Sequence, residues 1–252
     1  MEDSRSKSVQ SAAPLDGRAA LVTGASGGIG RAIAVALAAG GADVCVVGRD
    51  ERRLADTVHA IAAHGTAAVS LAADLTENGR IDQLVDLVGQ RLGGLDVLVH
   101  SAGVYSRGPL ADSAVRELDA QYQTNIRLPY RLTQIALPLL VSRRGDVVFI
   151  NSTQGLAASG GVGQFAATQH AMRGVADSLR AEVNRDGVRV LTVHVGRTAT
   201  ERQERIFAQE NRHYTPESLI QPEDVADIVV CAITLPRRAQ ITSLTVWPSR
   251  PP

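Results

Sequence analysis

The chain lacks several features that would assign it to a function class at once. Its 2 cysteines, Cys45 and Cys231, lie in apolar surroundings with neither disulfide nor metal-ligand spacing. No metal site is expected, and both are read as buried thiols of a protein in a reducing, cytoplasmic compartment. Neither sign of charge is in excess. The 26 Lys and Arg balance 26 Asp and Glu, so nothing points to a nucleic-acid partner or an acidic membrane surface. No apolar run approaches the ~18 residues of a membrane span. The N-terminal stretch MEDSRSKSVQSAAP has no apolar core of the kind a signal peptide needs. Residues 1–14 are expected to be a disordered polar tail.

What remains is ordinary globular material, 44% hydrophobic and 21% charged, in 252 residues. Apolar strand candidates cover 18–23, 43–48, 67–73, 95–100, 146–151, 188–194 and 241–247. Helical patterns cover 29–39, 51–63, 80–92, 113–140, 164–185 and 222–235 between them. This alternation predicts an α/β fold: a single Rossmann-type doubly wound domain over 15–252, with a seven-stranded parallel sheet and helices on both faces. The strands are nearly continuous apolar runs, as expected when both faces are covered. A ligand is then expected beyond the carboxyl ends of the strands. The stretch near 198–220 interrupts the pattern. It is polar, long for a connection and mixed in charge, and is expected to act as a lid.

The first strand candidate runs into Thr23-Gly24-Ala25-Ser26-Gly27-Gly28-Ile29-Gly30 and then directly into a helix. Glycines there permit a tight turn and let the backbone approach a pyrophosphate, while the helix N-terminus offers free N–H groups. Candidate cofactor contacts in this turn are Gly24, Ser26, Gly28, Ile29 and Gly30. The second strand ends in Gly48-Arg49 instead of an acid. An arginine suits the 2′-phosphate of NADP(H) better than the free 2′-hydroxyl of NAD(H), although NAD(H) or no cofactor remain alternatives.

The TGxxxGxG spacing resembles that of the short-chain dehydrogenase/reductase superfamily, and the resemblance extends from Arg18 to Trp247. It implies an adenine contact at Asp74-Leu75. It also implies a close cofactor approach at Ala102-Gly103, although the Asn-Asn that precedes this pair in relatives is here His100-Ser101. The loop after the sixth strand, with Gly196, Thr198 and Thr200, is implied to touch the nicotinamide end and the phosphates. Dimers or tetramers of this chain are implied through the helical patterns at 113–140 and 164–185.

The same resemblance implies a catalytic Asn-Ser-Tyr-Lys tetrad. The matching positions hold Asn125, Ser152, Phe165 and Gln169. Phe165 keeps the ring but has no ionisable proton, and Gln169 is neutral, so the usual proton relay is missing. Ser152 can still hydrogen-bond a carbonyl oxygen. Gln154, Tyr105 and His194 are candidates to face a small-molecule substrate. Tyr105 and His194 are also, with His100 and His170, candidates to replace the missing acid. His170 lies about 100° round the helix from Gln169, away from the same pocket.

The expected function is a divergent NADP(H)-binding reductase acting on a small carbonyl or alcohol. The alternatives are a non-redox enzyme in the same pocket, catalysing cyclisation, dehydration or isomerisation, and a non-catalytic binding or partner subunit.

Overall fold

A computed structural model describes residues 13–250. Most of the expected N-terminal tail, residues 1–12, lies outside the described residues.

Seven strands form one parallel sheet: β1 (Ala19–Thr23), β2 (Asp43–Gly48), β3 (Ala68–Ala72), β4 (Val97–His100), β5 (Asp146–Ser152), β6 (Arg189–Val195) and β7 (Ser243–Val246). Their order is β3-β2-β1-β4-β5-β6-β7. The chain therefore winds outward in one direction from β1 and then in the other from β4. The crossovers part between those two strands and leave a crevice at their carboxyl ends. Alternation of side chains along the strands splits the interior in two. Ala20, Val22, Val44 and Val46 face α1 (Gly28–Ala39) and α8 (Pro222–Thr234) on one side. Leu21, Cys45, Val47, Leu98 and Phe149 face α3 (Arg80–Leu92), α5 (Leu128–Arg143) and α6 (Gly163–Val183) on the other. The small buried residues of α1, among them Gly30, Ala34 and Ala38, let it lie close against the Ala226 and Val229 face of α8. On α2 (Glu51–Ala62) the first turn is capped by Asp50, whose carboxylate accepts from the Arg53 N–H at 3.0 Å.

Three expectations change. The single helix read over 113–140 is α4 (Val115–Tyr122), a π turn (Gln123–Arg127) and α5. The wider turn swings Asn125 inward, and Pro129 suits the start of the next helix because its missing N–H is not needed there. The polar segment after β6 contains a helix, α7 (Glu201–Gln209), with Ile206 and Phe207 buried. Cys231 is exposed, because it lies off the Val225–Val229–Ala232 stripe that α8 turns to the core. Cys45 is buried as expected, and burial pushes its thiol up to about 12. No helix among the described residues is long and apolar enough to cross a membrane.

Candidate active site

At the carboxyl ends of β1, β4, β5 and β6 lies a cavity of about 1130 Å³. It runs from the glycine turn, past the end of β4, to Ser152 and Phe165.

The glycine turn is tight because two backbones meet there. Gly24 has φ +69°, and a Cβ on it would lie 2.7 Å from the Ala102 nitrogen. A Cβ on Gly30 would fall 2.4 Å from the Gly24 carbonyl oxygen. Alanine at either position must push backbone aside. Thr23 at the end of β1 ties the two sides together. Its hydroxyl accepts from the N–H groups of Ser101 and Ala102, both at 3.1 Å. Ser26 Oγ is buried with no protein partner, although nearly all such atoms are hydrogen-bonded. Gly24, Ser26, Gly28, Ile29, Gly30, Arg49, Asp74, Leu75, Ala102 and Gly103 all line this end of the cavity. A hydrogen bond from the Thr76 hydroxyl, with its N–H beside it, holds the Asp74 carboxyl below its ordinary value. Asp74 therefore offers a carboxylate, oriented by its own loop.

At the other end, β5 delivers Ser152. Its Oγ accepts from the Gln154 N–H at 3.2 Å, so its own proton is available to the cavity. Asn151 braces this bend. Its amide donates to the Gln169 carbonyl at 3.0 Å, and its oxygen accepts from the Ser152 N–H at 2.6 Å. Asn125 uses both ends of its amide on Val104, accepting from the N–H at 2.8 Å and donating to the carbonyl at 3.0 Å. It also reaches Thr168 Oγ1 at 3.1 Å. Gln169 donates to the same hydroxyl at 3.3 Å and is buried. No lysine could serve here, since the chain has only one, Lys7, outside the described residues. Phe165 meets the Tyr105 ring edge-on, with centroids 4.9 Å apart. Gln154, whose side chain is fixed by Ser159, and Tyr105 both line the cavity.

The other candidate acids fare differently. His194 does not line the cavity. Its neighbours Val193 and Val195 point into the α8-side core, so strand alternation turns it the other way, and its Nδ1 sits 3.3 Å from the Ser152 carbonyl. His170 is exposed, with Nδ1 2.9 Å from the Ala166 carbonyl. His100 lines the cavity but is buried and stacked on Phe149, and Nε2 lies 2.8 Å from Thr133 Oγ1. Burial drives it down to about 3, which keeps it neutral.

Gly196, Thr198 and Thr200 line the cavity from the loop after β6. The Thr200 hydroxyl caps α7, accepting from the Gln203 N–H at 3.2 Å. Several charged residues in the wall were not anticipated from the sequence: Arg53, Arg107, Arg197, Glu201, Arg202 and Glu210. Arg202 donates to the Gly103 carbonyl at 2.6 Å. Glu210 pairs with Arg107, and with Arg197 at 2.9 Å. For Glu201, Arg202 and Glu210 the density of charge between 198 and 215 was the available signal; Arg53, Arg107 and Arg197 lie outside that stretch.

The family model described as short chain dehydrogenase matches residues 18–211. A protein named an uncharacterized oxidoreductase, from Staphylococcus aureus (strain USA300), is 30% identical over 235 residues, covering 93% of this chain and 98% of that one. A metagenomic short-chain oxidoreductase solved in complex with NADP is 31% identical with a TM-score of 0.80, covering 94% of this chain and 100% of the other. An actinorhodin polyketide ketoreductase variant with NADPH is 27% identical with a TM-score of 0.84, covering 92% of this chain and 96% of that one. Matches of that extent, over a sheet with the glycine turn at one end of its cleft and Ser152 at the other, make the chain a member of the short chain dehydrogenase family.

Proposed function

We propose that the protein is an NADP(H)-dependent oxidoreductase of a small carbonyl or alcohol that handles the proton without a tyrosine–lysine pair. The observation that carries this reading is the single cavity joining the glycine turn to Ser152. The turn suits a dinucleotide: Gly24 and Gly30 leave no room for side chains, and Ser26 Oγ is buried and unpartnered. Arg49 at the adenosine end favours a 2′-phosphate. When bound, the nicotinamide supplies or accepts hydride.

The chain's own residues do the rest. Ser152 donates its hydroxyl proton as a hydrogen bond to the substrate oxygen and so orients the carbonyl. Reduction adds hydride to the carbonyl carbon and needs one proton on that oxygen. His100, held neutral, has no imidazolium proton to give. Glu210 is a carboxylate, since its arginines outweigh the upward effect of burial. Tyr105, in contact with Phe165, keeps its phenol proton, because burial raises it above the ordinary value although Arg107 pulls the other way. We assign the proton to Tyr105, directly or through a water. The exposed apolar residues Val115, Leu118, Tyr122 and Tyr130 on α4 and α5 support pairing with a second copy of this chain.

The test is single-turnover oxidation of NADPH against a panel of small ketones and aldehydes. Tyr105→Phe should slow the hydride step by about 10²–10⁴ with cofactor affinity intact, and Phe165→Tyr in that background should restore part of the rate. NADPH that binds but is never oxidised across the panel would sink the redox reading and favour non-redox chemistry or a binding protein.

A further inference from the structure

Arg53 stands in the first turn of α2, and its guanidinium lies against the phosphate turn. A Cβ on Gly27 would be 2.5 Å from Arg53 Nη2. The same guanidinium grips the first residue of α7 with both prongs: Nη2 donates to Glu201 Oε1 at 2.7 Å and Nη1 to Oε2 at 3.0 Å. Beside this pair, the Thr200 methyl rests 3.2 Å from the position of a Cβ on Gly28. Arg49 and the unpartnered Ser26 Oγ line the same end of the cavity. The first turn of α7 is thus tied to the phosphate turn through Arg53, at the place where a nucleotide's adenosine end approaches, and to the loop after β4 through the hydrogen bond from Arg202 to the Gly103 carbonyl.

A carboxylate presents two oxygens to a guanidinium fork in much the way a phosphate does. We infer that Glu201 is an internal competitor for the cofactor's 2′-phosphate: it occupies Arg53 until a 2′-phosphorylated dinucleotide takes that arginine and releases the first turn of α7 from its tie to α2. This inference rests on the proposed binding of NADP(H). Arg53 and Glu201 keep 43% and 64% of their side-chain surface exposed, so the pair is solvated and weak enough to exchange. A phosphate brings more charge and more acceptor oxygens than the carboxylate it replaces. A dinucleotide with a free 2′-hydroxyl has no group to compete with, and leaves the latch shut. Arg53 is then a specificity residue and Glu201 its brake.

The experiment measures equilibrium dissociation constants for NADPH and NADH, by calorimetry, on the wild-type chain, Glu201→Gln, Arg53→Gln and the double variant. Both side chains are surface residues, so all four proteins should fold. Glu201→Gln should tighten NADPH about threefold and leave NADH alone. Arg53→Gln should weaken NADPH about tenfold, again without touching NADH. Adding Glu201→Gln to Arg53→Gln should change nothing further. Amide exchange over Glu201–Gln209 should quicken with NADPH but not with NADH. The inference is overturned if Glu201→Gln leaves NADPH affinity unchanged or weakens it, since Glu201 then only orients Arg53. If neither dinucleotide binds the wild-type chain, the cofactor reading falls and this inference with it. If both bind and the variants leave their ratio fixed, this inference alone falls.

Discussion

Two carboxylates in this molecule are each held by three arginines, at opposite ends of the sheet. Asp146, at the amino end of β5, meets Arg18 at 2.7 Å, Arg189 at 2.6 Å and Arg237 at 3.3 Å. Glu210, just after α7, meets Arg107, Arg197 at 2.9 Å and Arg212 at 3.5 Å. The chemistry is shared and the surroundings are not. Asp146 keeps 3% of its side-chain surface exposed and Arg189 8%. Arg189 also donates to the carbonyls of Ile233, Leu235 and Ala239, which ties it to the last turn of α8 and the chain just beyond it. Glu210 keeps 14%, and its partners Arg107 and Arg197 keep 28% and 29%. Water therefore reaches the upper cluster and can replace its bonds one at a time. In the lower cluster Arg18 and Arg237 also reach water, but Asp146 and Arg189 do not, and losing the bond between those two strands a buried charge. The lower cluster fastens the sheet, and the upper one can let go.

The largest expected effect follows from that burial. Asp146→Ala leaves Arg189 charged and enclosed, and should cost about 3–5 kcal/mol in urea unfolding. The amino end of β5 and the cleft lie at opposite ends of the sheet, so NADPH affinity measured below the melting range should stay near wild type. A loss under about 1 kcal/mol would mean the lower cluster is as replaceable as the upper one.

Neither cluster could be seen in the sequence. Asp146 is 128, 43 and 91 residues from its three arginines, and nothing in local periodicity joins such positions. What could be read was what repeats or is sterically constrained. Valine-rich strands covered on both faces pointed to the sheet, and a glycine turn between strand and helix pointed to one end of the cleft. Most of the candidate residues line that cleft because loops at the carboxyl ends of parallel strands converge there. The failures have the same origin in geometry. Strand position told that His194 is near the carboxyl end of β6, but a period of two decides its face, and the core took Val193 and Val195. The π turn at Gln123–Arg127 adds width without breaking the apolar pattern, so 113–140 looked like one helix. Cys231 sits in an apolar run, yet on the one side of α8 that water reaches.

An intermediate effect comes from His100, which lies at the top of the sheet but is as enclosed as Asp146 is at its base. Burial lowers it to about 3 from an ordinary value of 6.5, and its Nδ1 has no partner. The unfolded chain therefore binds a proton near pH 6.5 that the folded chain refuses until far lower pH. Stability from the neutral ring is complete above pH 6.5 and declines steadily as pH falls towards 3. Between pH 7 and 5.5 this should remove about 1 kcal/mol of unfolding free energy, and His100→Asn should flatten that slope whatever it does to stability at pH 7. An unchanged slope in the variant would assign the loss to other groups.

The smallest expected effect on stability is at the upper cluster, and there a small energy should produce a visible motion. Glu210→Gln removes one charge from a part-buried group whose arginine partners reach water, and should cost about 1 kcal/mol, well below Asp146→Ala. Yet Glu210 is where the loop after β4, through Arg107, and the loop after β6, through Arg197, are tied to the end of α7. Trypsin should therefore cut at Arg202 or Arg205 several times faster in the variant, while its melting temperature barely moves. The effect of pH separates this cluster from His100. Burial alone would raise the Glu210 carboxyl, but hydrogen bonds from Arg197 and Arg107 hold it below its ordinary value, so the clasp persists until pH falls through that lowered value. Between pH 7 and 5.5 the wild-type chain should lose global stability through His100 and keep its tryptic cleavage rate in α7, corrected for trypsin's own pH response. Cleavage in α7 that follows global stability over that range would tie the two ends of the sheet into one cooperative unit. The contrast between a fastened base and a releasable rim would then have no energetic meaning.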